Sequence, residues 1–495
     1  GPVAEPLRPP VSDHRRGFVA SRTDFNGQTT LYSHDARGLE RSRTEALGTP
    51  EARTITTEWH PRFRLPITIT EPGKESTFTY DTAGRLLTRT ETDPATGATR
   101  VTTHTYNDLG LLETVDGPRT DVTDVARFAY DAAGDLVSVI EALGHLTEIT
   151  AHDPHGRPLA IRDPNSTVTA LTYDARGRLV SRNVDGQATS FDYDAAGDLI
   201  RATLPNGAFL QHTYDAAHRS IAMEDNLGNR IDYTLDALGN RIREDVKDPG
   251  GTLRRTQSRV YNEIDRLVQT IGGENQTTLY AYDGNGNPVS ITDPNGNAIT
   301  HAYDALNRRI ETTDALNGVT AFTYDPRDNP TATTDPRGLT TTYIYDGLGN
   351  LVQQNSPDTG TTTYTYDAAG DPTSRTDARG VTVHYAYDAL KRLTAIDYPD
   401  DSFDVAFTYD TCTQGAGRLC AMQDGSGTTT YAYDARGNLT AESVAMGRAR
   451  YTTEYAYDRA DRLIGITYPS GRTVKYARDI VGRIGSLTTT LDGVT

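Results

Sequence analysis

The sequence predicts an all-β chain: a long antiparallel meander of β-hairpins, about twenty repeats of ~21 residues, curled into a spiral sheet or partial hollow shell. Three observations carry this. Tyr-Asp recurs from one end of the chain to the other at near-constant spacing. The segments between recurrences alternate with period two and are rich in Thr and Tyr, as half-buried strands are. Asp-Xaa-Xaa-Gly and Asp-Pro-Xaa-Gly quartets punctuate them. Asp caps such a turn through its side chain, and Gly supplies the positive φ at its end.

The register is clearest in the second half. Tyr282-Asp283, Tyr303-Asp304, Tyr324-Asp325, Tyr345-Asp346, Tyr366-Asp367 and Tyr387-Asp388 follow Tyr261-Asn262 in steps of 21 residues. Earlier members stand at Tyr80, Tyr106, Tyr130, His152, Tyr173, Tyr193, Tyr214 and Leu235; later ones at Tyr409, Tyr433-Asp434, Tyr457 and, disguised, Arg478. His34-Asp35-Ala-Arg-Gly38 is an outlying N-terminal copy. Gly286, Gly349, Gly370 and Gly437 close their Tyr-Asp turns, and a second turn of the Thr-Asp-Xaa-Xaa-Gly kind ends each unit, as at Thr376-Asp-Ala-Arg-Gly380. Two turns and two strands of about six or seven residues fill one period. Residues 1–10 read as a cleavage scar and linker, 11–75 as an atypical N-terminal repeat segment, and 76–495 as one continuous array. Gly1-Pro2 and the stop at Thr495 suggest a fragment excised from a larger protein.

A ring usually precedes the frame tyrosine by two, as at Phe78, Tyr343 and Tyr364, so the two share a face. A type I turn with a Gly bulge sets Asp81 against Arg85 and Tyr80 against Leu86. That register predicts one face of rings and Leu and another of Thr, Asp and Arg. Some forty strands at about 4.8 Å each make a ribbon of roughly 190 Å. Left flat it would expose an apolar face and aggregate, so it is expected to curl, with successive turns pairing edge to edge. For a shell about 60 Å across, the segment would complete about one turn.

Composition excludes several classes. The chain has 495 residues, 67 acidic against 49 basic, and a formal charge of −18, which disfavours nucleic-acid binding. No apolar run is long enough to span a membrane. Two Cys exclude a disulfide scaffold and a Cys-based zinc cluster. Only Lys74, Lys247, Lys391 and Lys475 are lysines, which fits either a GC-rich genome or contacts that need Arg.

Repeats such as Tyr173-Asp-Ala-Arg-Gly-Arg-Leu179 and Tyr433-Asp-Ala-Arg-Gly-Asn-Leu439 resemble the YD repeats of bacterial Rhs proteins. The same repeats occur in the B–C component of Tc insecticidal toxins, in wall-associated proteins and in teneurins. The stretch Trp59-His-Pro-Arg-Phe-Arg-Leu-Pro66 resembles the segment that opens many such arrays. The resemblance implies a hollow β-shell around a C-terminal toxin, cut from the shell by a core domain with an Asp-Pro-Xaa-Gly-Xaa-Xaa-Asp-Gly signature. Asp293-Pro-Asn-Gly-Asn and Asp335-Pro-Arg-Gly-Leu lack the following Asp-Gly, so both read as ordinary repeat turns.

Local chemistry is sparse. Cys412 and Cys420 flank a turn lengthened by four residues, where they either form a disulfide suited to an oxidising space or stay as free thiols. His152 and His155 have metal-like spacing, but one holds a frame position and the other a turn. Asp283-Gly-Asn-Gly-Asn287 is rich in calcium-type ligands, yet Pro288 and Pro294 stand where an EF-hand needs Gly and Glu. The Tyr rows could stack on sugars, but a chain-wide array is what packing demands. No nucleophile, base and orienter come together, so no catalytic residue, metal or cofactor is expected. The reading is a non-catalytic shell segment of a secreted toxin, its ring face towards the cargo, partnered by its own C-terminal toxin domain and by a secretion-system component. The alternative is a cell-surface adhesion or carbohydrate-binding module that meets a surface glycan.

Overall fold

The computed structural model describes residues 17–491; the linker reading for residues 1–10 lies outside them. Its 43 strands form one antiparallel sheet in which neighbours in sequence are neighbours in space, from Ser21–Thr23 to Ile484–Thr490. The strands before residue 76 enter the same sheet. One short 3₁₀ turn, Asp401–Phe403, interrupts it.

The turns explain the regularity. Asp81 N–H donates to the Arg85 carbonyl (3.0 Å), and Gly84 N–H to the Asp81 carbonyl (3.0 Å). The Asp81 carboxylate accepts from the N–H groups of Ala83 and Arg85, each at 2.9 Å. Gly84 has φ +86°, the left-handed value that closes a bulged three-residue turn. Tyr80 accordingly pairs with Leu86 and Thr79 with Thr88, the register expected from the sequence. His218, Asp265, Asn307, Asp328, Lys391 and Asp461 take the same left-handed conformation without being Gly, so the turn tolerates some strain.

Consecutive hairpins are tied in three ways. The frame tyrosines lie along the sheet and donate to the carbonyl that opens the return strand of the preceding hairpin: Tyr282 to Leu267 (2.8 Å), Tyr303 to Pro288 (3.0 Å), Tyr324 to Arg309 (2.7 Å), Tyr366 to Leu351 (2.7 Å) and Tyr433 to Leu419 (2.7 Å). Thr hydroxyls pair across strands on the other face, as Thr79–Thr88 (2.6 Å) and Thr105–Thr114 (2.7 Å). The turn arginine reaches forward: Arg308 bonds its own Asp304 (2.7 Å), stacks 4.9 Å from the Tyr324 ring and donates to the Asp325 carbonyl (2.7 Å).

This corrects the two-face expectation. Arg85, Arg178, Arg308 and Arg392 do not sit on a face away from the rings; each guanidinium covers the next hairpin's tyrosine at 4.4–4.9 Å. A planar fork can bond a carboxylate, stack on a ring and, in Arg178 and Arg308, reach the next turn's carbonyl as well, so these positions favour Arg over Lys. Tyr366→Phe removes one hydroxyl donor and leaves the Leu351 carbonyl without it. It should cost about 1 kcal/mol by the usual worth of a neutral hydrogen bond, read as faster hydrogen exchange in the flanking strands.

There is little core. Among the described residues, only Leu39, Ala46, Ile55, Ala208, Ala222 and Cys420 are buried apolar residues. The accessible surface is 28291 Å², against the roughly 18,000 Å² expected of a compact globule of this mass. A single-layer wall, with solvent on both faces, accounts for the excess.

Candidate functional site: the spiral seam

The ribbon has two rims, because the two kinds of turn lie at opposite strand ends. One rim carries the Tyr-Asp turns, the other the Thr-Asp-type turns. Residues 248–275 apart in sequence are bonded to each other, and each such contact joins a Thr-Asp-type turn of the first revolution to a Tyr-Asp turn of the second. One revolution therefore takes 23 to 25 strands. At about 4.8 Å per strand the wall is roughly 115 Å round and under 40 Å across.

Two expectations are corrected here. The segment completes nearly two turns, not one, because the shell is narrower than assumed. Successive turns do not pair strand edge to strand edge, because a meander exposes strand edges only at its two ends. They meet through turn tips.

The tips are stitched by side chains that bond backbone and one another. Asn26 donates to Asp283 (2.9 Å), and Asn285 donates to Asp24 (2.8 Å). Arg53, held by Glu45 (2.6 Å), donates to the Pro326 carbonyl (3.0 Å) and to Asp328 (2.8 Å). Asn165 donates to the Ala416 carbonyl (2.9 Å) and accepts the Ala416 N–H (2.8 Å), while Thr167 donates to the Ala435 carbonyl (2.7 Å). Asn206 donates to the Ile480 carbonyl (2.9 Å). His145 lies between Glu141 (3.4 Å) and Asp410 (3.2 Å).

Three of the seam side chains are buried: Thr167, Asp93 and Arg119. Asp93, 2% exposed, accepts from the Gly347 N–H across the seam (2.9 Å) and from Thr96 (2.8 Å) and Ala95 (2.8 Å). Burial pushes its carboxyl up, but these donors outweigh that and hold it below the ordinary carboxylate range. Arg119, its side chain 3% exposed, donates to the Asp388 (2.8 Å) and Tyr387 (3.3 Å) carbonyls and lies 3.5 Å from Asp367.

The repeat residues picked from sequence thus divide. Asp283, Tyr387 and Asp388 make seam bonds, and Asp346 and Asp434 open turns whose next residues do. Tyr282, Tyr303, Tyr324, Tyr366 and Tyr433 bond within the wall. Tyr345 ends its strand opposite Leu351. Asp304, Asp325 and Asp367 each accept N–H groups of their own turn. Gly286, Gly349, Gly370 and Gly437 have φ between +84° and +97°. The Asp283 carboxylate is filled by donors from Gly286, Asn287 and Asn26, which explains the calcium-like composition without a cation.

Several working residues escaped the sequence reading. Trp59-His60 is a repeat turn in disguise: Trp59 pairs with Pro66, and the His60 Nδ1 accepts from Arg62 and Phe63 N–H as an Asp would. Its 21-residue step to Tyr80 was the available signal. Asn26, Asn165 and Asn206 share the third position of their turns, but nothing local marks them as seam donors. Cys412 and Cys420 stand at bonding distance (S–S 2.08 Å, Cα–Cα 5.4 Å), clasping the long turn that meets Asn165.

Acid should loosen the wall late. The Arg157 guanidinium, with the His155 and Arg157 N–H groups, holds the Asp153 carboxyl down to about 2. Asp81, Asp174 and Asp215 are lowered too, by the backbone N–H groups and guanidinium groups of Arg85, Arg178 and Arg219. A carboxylate whose folded value is depressed stabilises above its unfolded value and loses that as pH falls through the folded one. Stability from these turns should be intact down to about pH 4 and fall between about pH 4 and 2. A thermal-melt series against pH checks this.

A single-layer sheet wound into a tube, its revolutions laced tip to tip, defines the class: a β-spiral shell wall. The teneurin YD-shell family model matches residues 70–237, 253–414 and 398–491, and the chain belongs to that family. It is 27% identical over 294 residues to the double-stranded DNA deaminase toxin A of Burkholderia cenocepacia, covering 56% of this chain and 18% of the relative. It is 27% identical over 276 residues to the probable deoxyribonuclease RhsA of Dickeya dadantii, covering 45% and 18%. It is 26% identical over 221 residues to the toxin protein Tse5 of Pseudomonas aeruginosa, covering 38% and 16%. The chain thus spans under a fifth of the length of these relatives. Among solved structures, TcdB2-TccC3 superposes with a TM-score of 0.72 at 14% identity, over 94% of this chain and 36% of that one, a likeness of fold. Among the described residues no helix is long and apolar enough to cross a membrane.

Proposed function

We propose that the chain is a non-catalytic wall segment of a secreted or surface-delivered toxin, and that the wall encloses a toxic domain carried later in the same polypeptide. The observation that carries this is the single-layer spiral with solvent on both faces. A globular enzyme or binding domain hides its interior, whereas among the described residues nothing packs against the inner face of this wall. Toxin relatives that are far longer than this chain supply room for a cargo. The tyrosine face is the one turned to the enclosed space.

The bonded Cys412–Cys420 pair fits export to an oxidising compartment. Closing so short a loop should contribute about 2–3 kcal/mol. Dithiothreitol is expected to raise hydrogen exchange across residues 410–418 and at Asn165 while leaving distant hairpins unchanged.

Limited proteolysis of the full-length native polypeptide, followed by size exclusion and mass analysis, tests containment. A C-terminal piece that is cut yet co-elutes with a resistant repeat core supports it. Free release of that piece, or its digestion as fast as an unprotected domain, contradicts it.

A second reading has one observation behind it. An open hollow of about 920 Å³, lined by Tyr451, Tyr468, Pro469, Arg472, Val474 and Leu491, offers rings and a guanidinium of the kind that hold a sugar. Specific signals on a glycan array, lost in Tyr468→Ala, would favour an adhesive module.

A further inference from the structure

Over part of its length the seam rests on one unusual turn. Among the described residues, every cross-seam hydrogen bond or ion pair made between Arg119 and Thr167 ends on the turn from Asp410 to Arg418. His145 meets Asp410 (3.2 Å), and Asn165 exchanges two bonds with Ala416 (2.9 and 2.8 Å). The turn is longer than its neighbours. It closes from the Asp410 N–H to the Arg418 carbonyl (3.1 Å), where the preceding turn closes from Asp388 to Arg392 (3.0 Å).

It also lacks the brace that many of the other turns share. There the arginine that ends the turn bonds the aspartate that opens it, as Arg308 bonds Asp304 and Arg462 bonds Asp458, each at 2.7 Å. Arg418 turns instead to the Gln414 carbonyl (2.6 Å), and Asp410 is forked by Arg392 of the preceding turn (3.0 and 2.6 Å). The covalent tie is the Cys412–Cys420 bond. Gly415 lies against it so closely that a Cβ there would stand 2.6 and 2.7 Å from the two sulfurs. The Gly415 N–H donates to the Cys412 carbonyl (2.9 Å) and the Arg418 N–H to the Gly415 carbonyl (2.8 Å), which sets Ala416 at the tip.

We infer that this cystine is a redox latch on the seam. A low-molecular-weight thiol such as glutathione opens it, and the seam parts between Arg119 and Thr167 while holding elsewhere. The thiolate attacks the sulfur of Cys412, which is half-buried, whereas Cys420 is 4% exposed. The S–S bond breaks, and its electron pair leaves on the Cys420 sulfur. That sulfur accepts the Cys412 N–H (3.0 Å), a donor that favours the thiolate. A second thiolate attacks the external sulfur of the mixed disulfide and frees Cys412. The chain gains two electrons and two protons, and two external thiols become one disulfide. Ala416 and Asp410 then leave Asn165 and His145. The strands from Val125–Tyr130 to Pro158–Arg162 lose their hold across the seam, a stretch of roughly 19 Å. Only the use of the latch rests on the containment reading: a thiol-rich cell interior would open a wall that an oxidising space keeps shut.

Two readouts on the native 495-residue chain, before and after glutathione, test this. One is amide exchange at Ala416. The other is modification of the His145 ring, 9% exposed in the closed seam, by diethyl pyrocarbonate. Both sites should be protected in the oxidised chain. Reduction should speed Ala416 exchange roughly tenfold or more and expose His145, while the Gly347 amide, outside the stretch, stays as slow as before. Cys412→Ser with Cys420→Ser should show the opened state without thiol and respond no further to it. A chain shown by mass to be reduced that keeps Ala416 and His145 protected would overturn the latch. So would equal loosening at Gly347, or a cystine that glutathione leaves intact in the native chain. No cargo is present in these measurements, so their failure is distinct from failure of containment.

Discussion

Replacing Arg119 with alanine should open the seam near residues 367–388. The side chain is 3% exposed, bonds two carbonyls of the other revolution and is the charge that faces Asp367. In the variant, Asp367 keeps its burial and loses that cation, and the Asp388 and Tyr387 carbonyls lose a donor. Breaking one side of a buried charged contact costs about 3–5 kcal/mol. A repeat array need not unfold as one unit, so the loss should be local. It is read as roughly hundredfold faster exchange in residues 367–388, with little change beyond neighbouring hairpins. Arg119→Lys should rescue only part, since an ammonium cannot span both carbonyls and Asp367 with one fork.

Gly347→Ala should be nearly as damaging. A Cβ on Gly347 would stand within van der Waals overlap of the Asp93 carboxyl, at 2.4 Å from its carbon. Asp93 cannot swing away without leaving the donors that hold it in a fully buried place. Overpacking with broken charged hydrogen bonds should cost about 2–4 kcal/mol. The cause is separable by a double-mutant cycle. In an Asp93→Gly background the Cβ and the carboxyl that clash are both gone, so adding Gly347→Ala should cost little more, under about 0.5 kcal/mol. Additive losses would mean that Gly347 matters for another reason.

The hairpin, its bulged turn and its register were legible because each is a local matter. Asp81, Gly84, Arg85 and Leu86 specify one another within six residues, and the period repeats the message along the chain. The radius was not legible. Strand spacing gives the length of a ribbon, whereas its curvature comes from the twist each bulge adds, which no single motif states. The seam was hidden for the same reason. Asn165 and Ala416 are 251 residues apart, and only the radius brings them together. The role of Arg was half visible: Asp81–Arg85 follows from the turn, but the forward reach of Arg85 over Tyr106 needs the neighbouring hairpin in place. Trp59-His60 was missed because His does an Asp's work there, through one ring nitrogen.

The spiral requires the ribbon to meet itself after one revolution, and two amides report this directly. The Gly347 N–H has Asp93 as its acceptor and the Ala416 N–H has Asn165, both from the preceding revolution. Site-resolved hydrogen exchange on the native chain should find both protected. Asp93→Ala should release Gly347 together with Ala95 of its own turn, and Asn165→Ala should release Ala416 alone. If both amides exchange at the rate of open turns in the native chain, or if neither variant changes its partner, the revolutions are not in contact and the spiral described here is wrong.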